Sequence, residues 1–108
     1  MPARDDLIVL RPEGLYCPAG DFHIDPWSPV ARAVITHAHA DHARVGHGAY
    51  LATAISEGVL RARLGAGITL QGLAYGDMVQ MNDVRVSLHP AGHVLGSAQV
   101  RVEHRGRV

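Results

Sequence analysis

The chain alternates short apolar runs with turn-forming residues, and most of those runs are too short for helices. Leu7 to Leu10 is compact and apolar, Arg11-Pro12-Glu13-Gly14 has turn chemistry, and Leu15 to Cys17 returns, which together predict a β-hairpin. Pro18-Ala19-Gly20 makes a further turn before a strand over Asp21 to Asp25, which stops at Pro26. Ala31 to Thr36 is an unbroken run consistent with a buried strand. Farther on, Ile68 to Leu73, Met78 to Met81, Val84 to Leu88 and Ala98 to Val102 predict strands, with Gly76-Asp77 and Asn82-Asp83 turning the chain between them. Val84, Val86 and Leu88 alternate with Arg85 and Ser87, the period of a half-buried strand.

Helical periodicity is clearest over Thr53 to Leu64. Thr53 is a suitable N-cap, Ser56 and Glu57 fall in the first turn, and Ile55, Val59 and Leu60 are expected to share one face. Arg61 and Arg63 complement the C-terminal end, and Gly65 stops the helix. Strands on both sides of one helix predict an α+β fold.

Composition narrows the class without deciding the function. The 108 residues are 47% apolar and 19% charged, as in a globular domain with a modest core. All ten basic residues are Arg and are balanced by ten acidic ones, so no basic excess advertises a phosphate-binding surface. Cys17 is the single cysteine, which excludes an internal disulfide and a purely thiolate metal site. Neither a signal-peptide order of residues nor a membrane-length apolar run is present, so the expectation is a cytoplasmic protein with no membrane partner.

Histidine is the outlier. Six of the eight fall between Thr36 and Gly96, and three of those sit in Thr36-His37-Ala38-His39-Ala40-Asp41-His42. Residues i and i+2 of an extended segment project to one side, so His37 and His39 can share an ion. Asp41 and His42 form a second ligand group, and Ala38 and Ala40 leave room for ligands to crowd. Imidazole with carboxylate suits zinc, with manganese or iron as alternatives. Surface histidines that bind metal adventitiously are the plain alternative. A second cluster, His89-Pro90-Ala91-Gly92-His93-Val94-Leu95-Gly96-Ser97, again places histidine after a strand. Gly92 and Gly96 let the backbone bend around His93, so that its ring can meet the ion held by His37 and His39. His89 belongs to the strand, with a packed or solvent-facing structural role. His23 and His47 read as ordinary loop or surface residues.

The run from Thr36 to His42 resembles the H-x-H-x-D-H signature of the metallo-β-lactamase superfamily. Ala91-Gly92-His93-Val94-Leu95-Gly96-Ser97 resembles that superfamily's next motif, in the form found in its β-CASP nuclease branch. Gly14-Leu15-Tyr16-Cys17-Pro18 and Asp25-Pro26-Trp27 are similar to bacterial exonucleases encoded beside an ATP-dependent DNA ligase, which are also labelled mRNA 3′-end processing factors.

The resemblance implies an αββα sandwich, of which residues 1–108 would be the N-terminal portion, carrying only the first sheet and part of its helical cover. It implies two divalent metals, zinc or manganese: His37, His39 and His93 on the first, Asp41 and His42 on the second. Asp41 would also act in catalysis by orienting or deprotonating water. Asp25 would support the site by hydrogen bonding, the alternative being a turn-capping role before Pro26; Trp27 would pack. The implied activity is a DNA exonuclease in repair, with nucleic acid as substrate and a DNA ligase and a helicase as partners in one pathway. RNA processing of the mRNA 3′-end type is the first rival. A thioester or lactam hydrolase fits the Val94-Leu95 loop less well. The third rival is a catalytically inactive metal-binding fragment, because a bridging aspartate, a later histidine and the β-CASP insertion have no counterpart in these 108 residues.

Overall fold

The structure is a computed structural model and describes residues 7–36, 44–90, 98–106 and 108. The predicted hairpin forms from β1 (Val9–Arg11) and β2 (Gly14–Cys17), with Arg11 opposite Gly14 and Val9 opposite Tyr16. Gly14 leaves the turn at φ 137, a conformation that disfavours any side chain, and a Cβ there would lie 3.3 Å from the Cα of Pro26. Asp21, at φ 55, turns the chain into β3 (Phe22–Ile24), which pairs antiparallel with β2.

From β3 onward the sheet becomes parallel. β3 pairs with β4 (Arg32–Val34), β4 with β5 (Ala49–Thr53), and β5 with β6 (Leu70–Leu73). Parallel neighbours need crossover connections, and the one from β5 to β6 contains the helix α1 (Glu57–Leu64). Among the described residues, β1 to β6 lie in chain order in one six-stranded sheet. A second, antiparallel sheet contains β7 (Met78–Met81), β8 (Val84–Pro90) and β9 (Ala98–Glu103), again in chain order. The chain therefore supplies strands to two sheets, where the sequence suggested only the first.

The two faces of the larger sheet are covered differently. Cys17, Phe22, Val34, Leu51 and Leu73 pack against Val84, Val86, Leu88, Ala98 and Val102 of the smaller sheet. On the other face Ala33, Ile35, Tyr50 and Ala52 gather around Leu60 of α1. This layering explains why β4 and β5 are apolar on both sides, as buried parallel strands are. The mixed α+β class follows from these layers. Among the described residues no helix is long and apolar enough to cross a membrane.

Two sequence expectations are corrected. Thr53 does act as a cap, its hydroxyl accepting the Ser56 N–H at 3.3 Å, but it caps a 3-10 turn over Ala54–Ser56, and α1 begins only at Glu57. Ile55 and Val59 do not share the buried face: they are 49% and 52% exposed, whereas Leu60 is fully buried. Leu60 is the buried anchor of the helix on the sheet, and Leu64 packs partly buried against the same cluster. Arg61 ties the helix to the segment leading into β6, donating to the Ala66, Ile68 and Leu70 carbonyls.

Candidate metal centre

The carboxyl ends of β3 and β4 meet at Asp25 and Thr36. Asp25 follows β3 at φ 47, a left-handed conformation that Asp tolerates better than most residues. Its N–H donates to the Val34 carbonyl at 2.9 Å, continuing the parallel pairing by one residue. That turn presents the carboxylate to Thr36, whose N–H donates to Oδ1 at 2.8 Å and whose hydroxyl donates to Oδ2. Ile35, just before, extends the pairing with β5 by donating to the Leu51 carbonyl at 2.8 Å.

Thr36 is also joined to the second sheet. Its carbonyl accepts the N–H of Ala98, the first residue of β9, at 2.7 Å. Pro90, the last residue of β8, is the register partner of Ala98. One junction thus holds together the residue before the His37 run and the two residues that flank the His93 segment. It sits at the carboxyl edge of the parallel strands, the edge at which open α/β sheets present their ligand sites.

The predicted ligands His37, His39, Asp41, His42 and His93 themselves lie outside the described residues. Among the described residues no three His, Cys, Asp or Glu side chains are grouped so as to hold a metal ion. Of the candidate site residues, Asp25 is the one within the described part, and its carboxylate is engaged by Thr36.

His47 departs from its expected surface position. It is only 8% exposed, its Nδ1 accepts the Val30 N–H at 3.2 Å, and its ring packs 5.2 Å from that of Tyr50, centroid to centroid. Because Nδ1 accepts, the neutral ring carries its proton on Nε2, a buried atom with no hydrogen-bond partner among the described residues. Burial, with a smaller contribution from nearby His23, holds its pKa below the ordinary histidine value. The flanking glycines were the available signal: Gly46 turns at φ 100, and a Cβ on Gly48 would come within 2.7 Å of the Ala31 carbonyl oxygen. Such a loop brings its central side chain inward.

The remaining singled-out residues have local roles. His23 lies on β3, stacked at a tilt on Tyr16 with centroids 4.6 Å apart and with Glu13 3.9 Å from its Nε2. His89 lies on β8 with Nε2 2.8 Å from the Ser87 hydroxyl. Cys17 is buried, and burial pushes its thiol pKa up, away from a ligating thiolate. Trp27 is 54% exposed and covers the β1–β2 turn, its indole N–H donating to the Pro12 carbonyl at 2.6 Å.

No family model matches the chain. A curated protein named "Probable DNA ligase", from Opitutus terrae, is 40% identical to it over 92 residues. Those residues take in 84% of this chain and 9% of that protein, so the chain spans only a small part of the relative's length.

Proposed function

We propose that this segment contributes a metal centre to a metal-dependent phosphodiester hydrolase of the metallo-β-lactamase kind, acting as a DNA exonuclease in repair. The observation that carries the reading is the Thr36–Ala98 hydrogen bond. Two motifs more than fifty residues apart, each with the residue types of a metal site, depart from one junction. Chance surface histidines have no reason to do so. The layering of α1 on the larger sheet and that sheet on the smaller one is compatible with part of an αββα sandwich.

The donor set fits the ions it would take. His37, His39 and His93 would give a first ion three imidazoles, and Asp41 with His42 would offer two ligands to a second. Bound divalent ions would supply Lewis acidity toward phosphoryl oxygens and lower the pKa of water to near neutrality. The protein's own part is positional. Asp25 fixes Thr36, Thr36 fixes the start of the ligand run, and the Asp41 carboxylate would orient the attacking water and accept its proton.

DNA is favoured over RNA as substrate by the ligase name of the relative, in which a region like this one shares a polypeptide with whatever earns that name. Coupling to strand joining by a ligase follows from that name, and a helicase of the same pathway enters the proposal through the resemblance alone. The test is cleavage of end-labelled DNA and RNA strands of matched sequence with zinc or manganese, on the 108-residue chain and on any longer product of its reading frame. The expected result is negligible turnover by the 108-residue chain, which offers the second ion two protein ligands, and DNA shortening by a longer product that His37→Ala abolishes. Cleavage confined to RNA would transfer the reading to RNA processing. Robust cleavage by the 108-residue chain, lost in His37→Ala, would contradict the ligand count.

A further inference from the structure

The one tryptophan of the chain follows Asp25 by two residues, at the carboxyl end of β3, and the proposed chemistry does not use it. Phe22 and Tyr50 are buried and Tyr16 and Tyr75 half-buried, whereas Trp27 is 54% exposed. Its placement is nonetheless fixed. The Trp27 N–H donates to the Glu13 carbonyl at 3.0 Å and the indole N–H to the Pro12 carbonyl at 2.6 Å, so both anchors lie on the β1–β2 turn. Gly14 makes the seat for the ring: a Cβ there would lie 3.7 Å from Cζ3 of the indole. The polar edge of the indole is spent on the protein, while about half of the residue faces solvent.

An exposed aromatic ring held in one orientation suits stacking on single-stranded nucleic acid, because every base has a π face and little freedom is left to lose on binding. Arg11, the register partner of Gly14, adds a cation on the same hairpin, its guanidinium 5.3 Å over the Tyr16 ring. Glu13 and Asp21 line the same hollow as Arg11, and the chain has no basic excess, so attraction to phosphate is weak and a π contact is the larger source of affinity. We propose that Trp27 is a stacking platform for an unpaired base of the DNA strand whose end the neighbouring site would shorten. The choice of ligand rests on the hydrolase reading above; the platform itself is built by the β1–β2 hairpin and the turn after β3.

Because the chain has one tryptophan, its emission reports stacking directly. On the 108-residue chain, with a chelator present, a short oligothymidylate is expected to quench that emission saturably. An abasic strand of equal length, which keeps the phosphates and lacks the bases, is expected not to. Trp27→Leu keeps an apolar side chain over Gly14 and removes the π face. Anisotropy of a labelled strand should then show the dissociation constant raised about tenfold, with Trp27→Phe between the two. Unquenched emission, equal quenching by the abasic strand, or an unchanged dissociation constant in Trp27→Leu overturns the proposal. Should Trp27→Leu fail to fold, thymidylate against abasic strand on the parent decides alone. Quenching by oligouridylate and not by oligothymidylate overturns DNA as the strand held. No metal and no turnover enter these measurements, so the two readings fail separately. DNA shortening without quenching removes the platform alone, and quenching where no product of the reading frame shortens DNA removes the hydrolase alone.

Discussion

Asp25→Ala isolates the junction on which the proposed site depends. The substitution deletes both acceptors that hold Thr36, the Oδ1 bonded at 2.8 Å to its N–H and the Oδ2 bonded to its hydroxyl. A hydrogen bond to a charged group contributes about 1.5–3 kcal/mol. The two here are not independent, since both end on one residue. Alanine at φ 47 adds strain of about 1–2 kcal/mol. Counting the pair as one such bond, these together predict a loss of about 2.5–5 kcal/mol, a large part of the ~5–15 kcal/mol that stabilises a domain of this kind. Urea unfolding followed by circular dichroism measures it, with an unchanged slope showing that the unfolding surface is the same. In thermal unfolding the loss corresponds to a midpoint lowered by about 10 °C or more. Asp25→Asn, which tolerates the same backbone and keeps an acceptor for the Thr36 N–H, should lose about half as much. Pairing Asp25→Ala with Thr36→Val should reveal a coupling of about 0.5–3 kcal/mol. An Asp25→Ala chain within about 0.5 kcal/mol of the parent would remove Asp25 as the residue that fixes Thr36.

Other consequences are equally open to measurement. Gly48→Ala would set a methyl 2.7 Å from the Ala31 carbonyl oxygen and should cost about 1–3 kcal/mol in urea unfolding. Gly58→Ala, on α1 with open space around its Cα, should instead stabilise by about 0.5–1 kcal/mol. For His47, whose pKa is lowered in the fold, the unfolded chain binds the proton more readily. Its contribution is therefore fully present above the unfolded pKa near 6.5 and declines as pH falls below it, levelling once the folded pKa is passed. Unfolding free energies measured from pH 8 to pH 5 should show a steeper decline in the parent than in His47→Gln, and parallel curves would contradict the buried neutral ring.

Much of the strand pattern is legible in the sequence because alternation and turn residues are local signals. Val84, Val86 and Leu88 are fully buried on β8 and Arg85 is exposed, as their period implies, but Ser87, expected on the open face, is buried as well. β5 is not legible in the same way. Ala49-Tyr50-Leu51-Ala52-Thr53 runs straight into the helical pattern, and a short apolar run does not reveal whether it is strand or helix until neighbours β4 and β6 flank it. Ile55 and Val59 have helical spacing, yet it is Leu60, with Leu64 partly buried beside it, that packs on the sheet. Gly46 and Gly48 mark a tight loop around His47, but the burial of its ring depends on the close approach of Gly48 to Ala31, a contact between segments seventeen residues apart. The junction of Asp25, Thr36 and Ala98 is likewise tertiary: the sequence marks its members as strand ends, and only the fold brings them together.

Zinc titration of the 108-residue chain, with His37→Ala and His93→Ala beside it, probes the convergence of the two motifs on one ion. One equivalent should bind tightly to the parent and be lost in both variants, because one ion would draw ligands from both sides of the Thr36–Ala98 bond. Binding that survives His93→Ala undiminished, or no binding by the parent, would contradict that convergence.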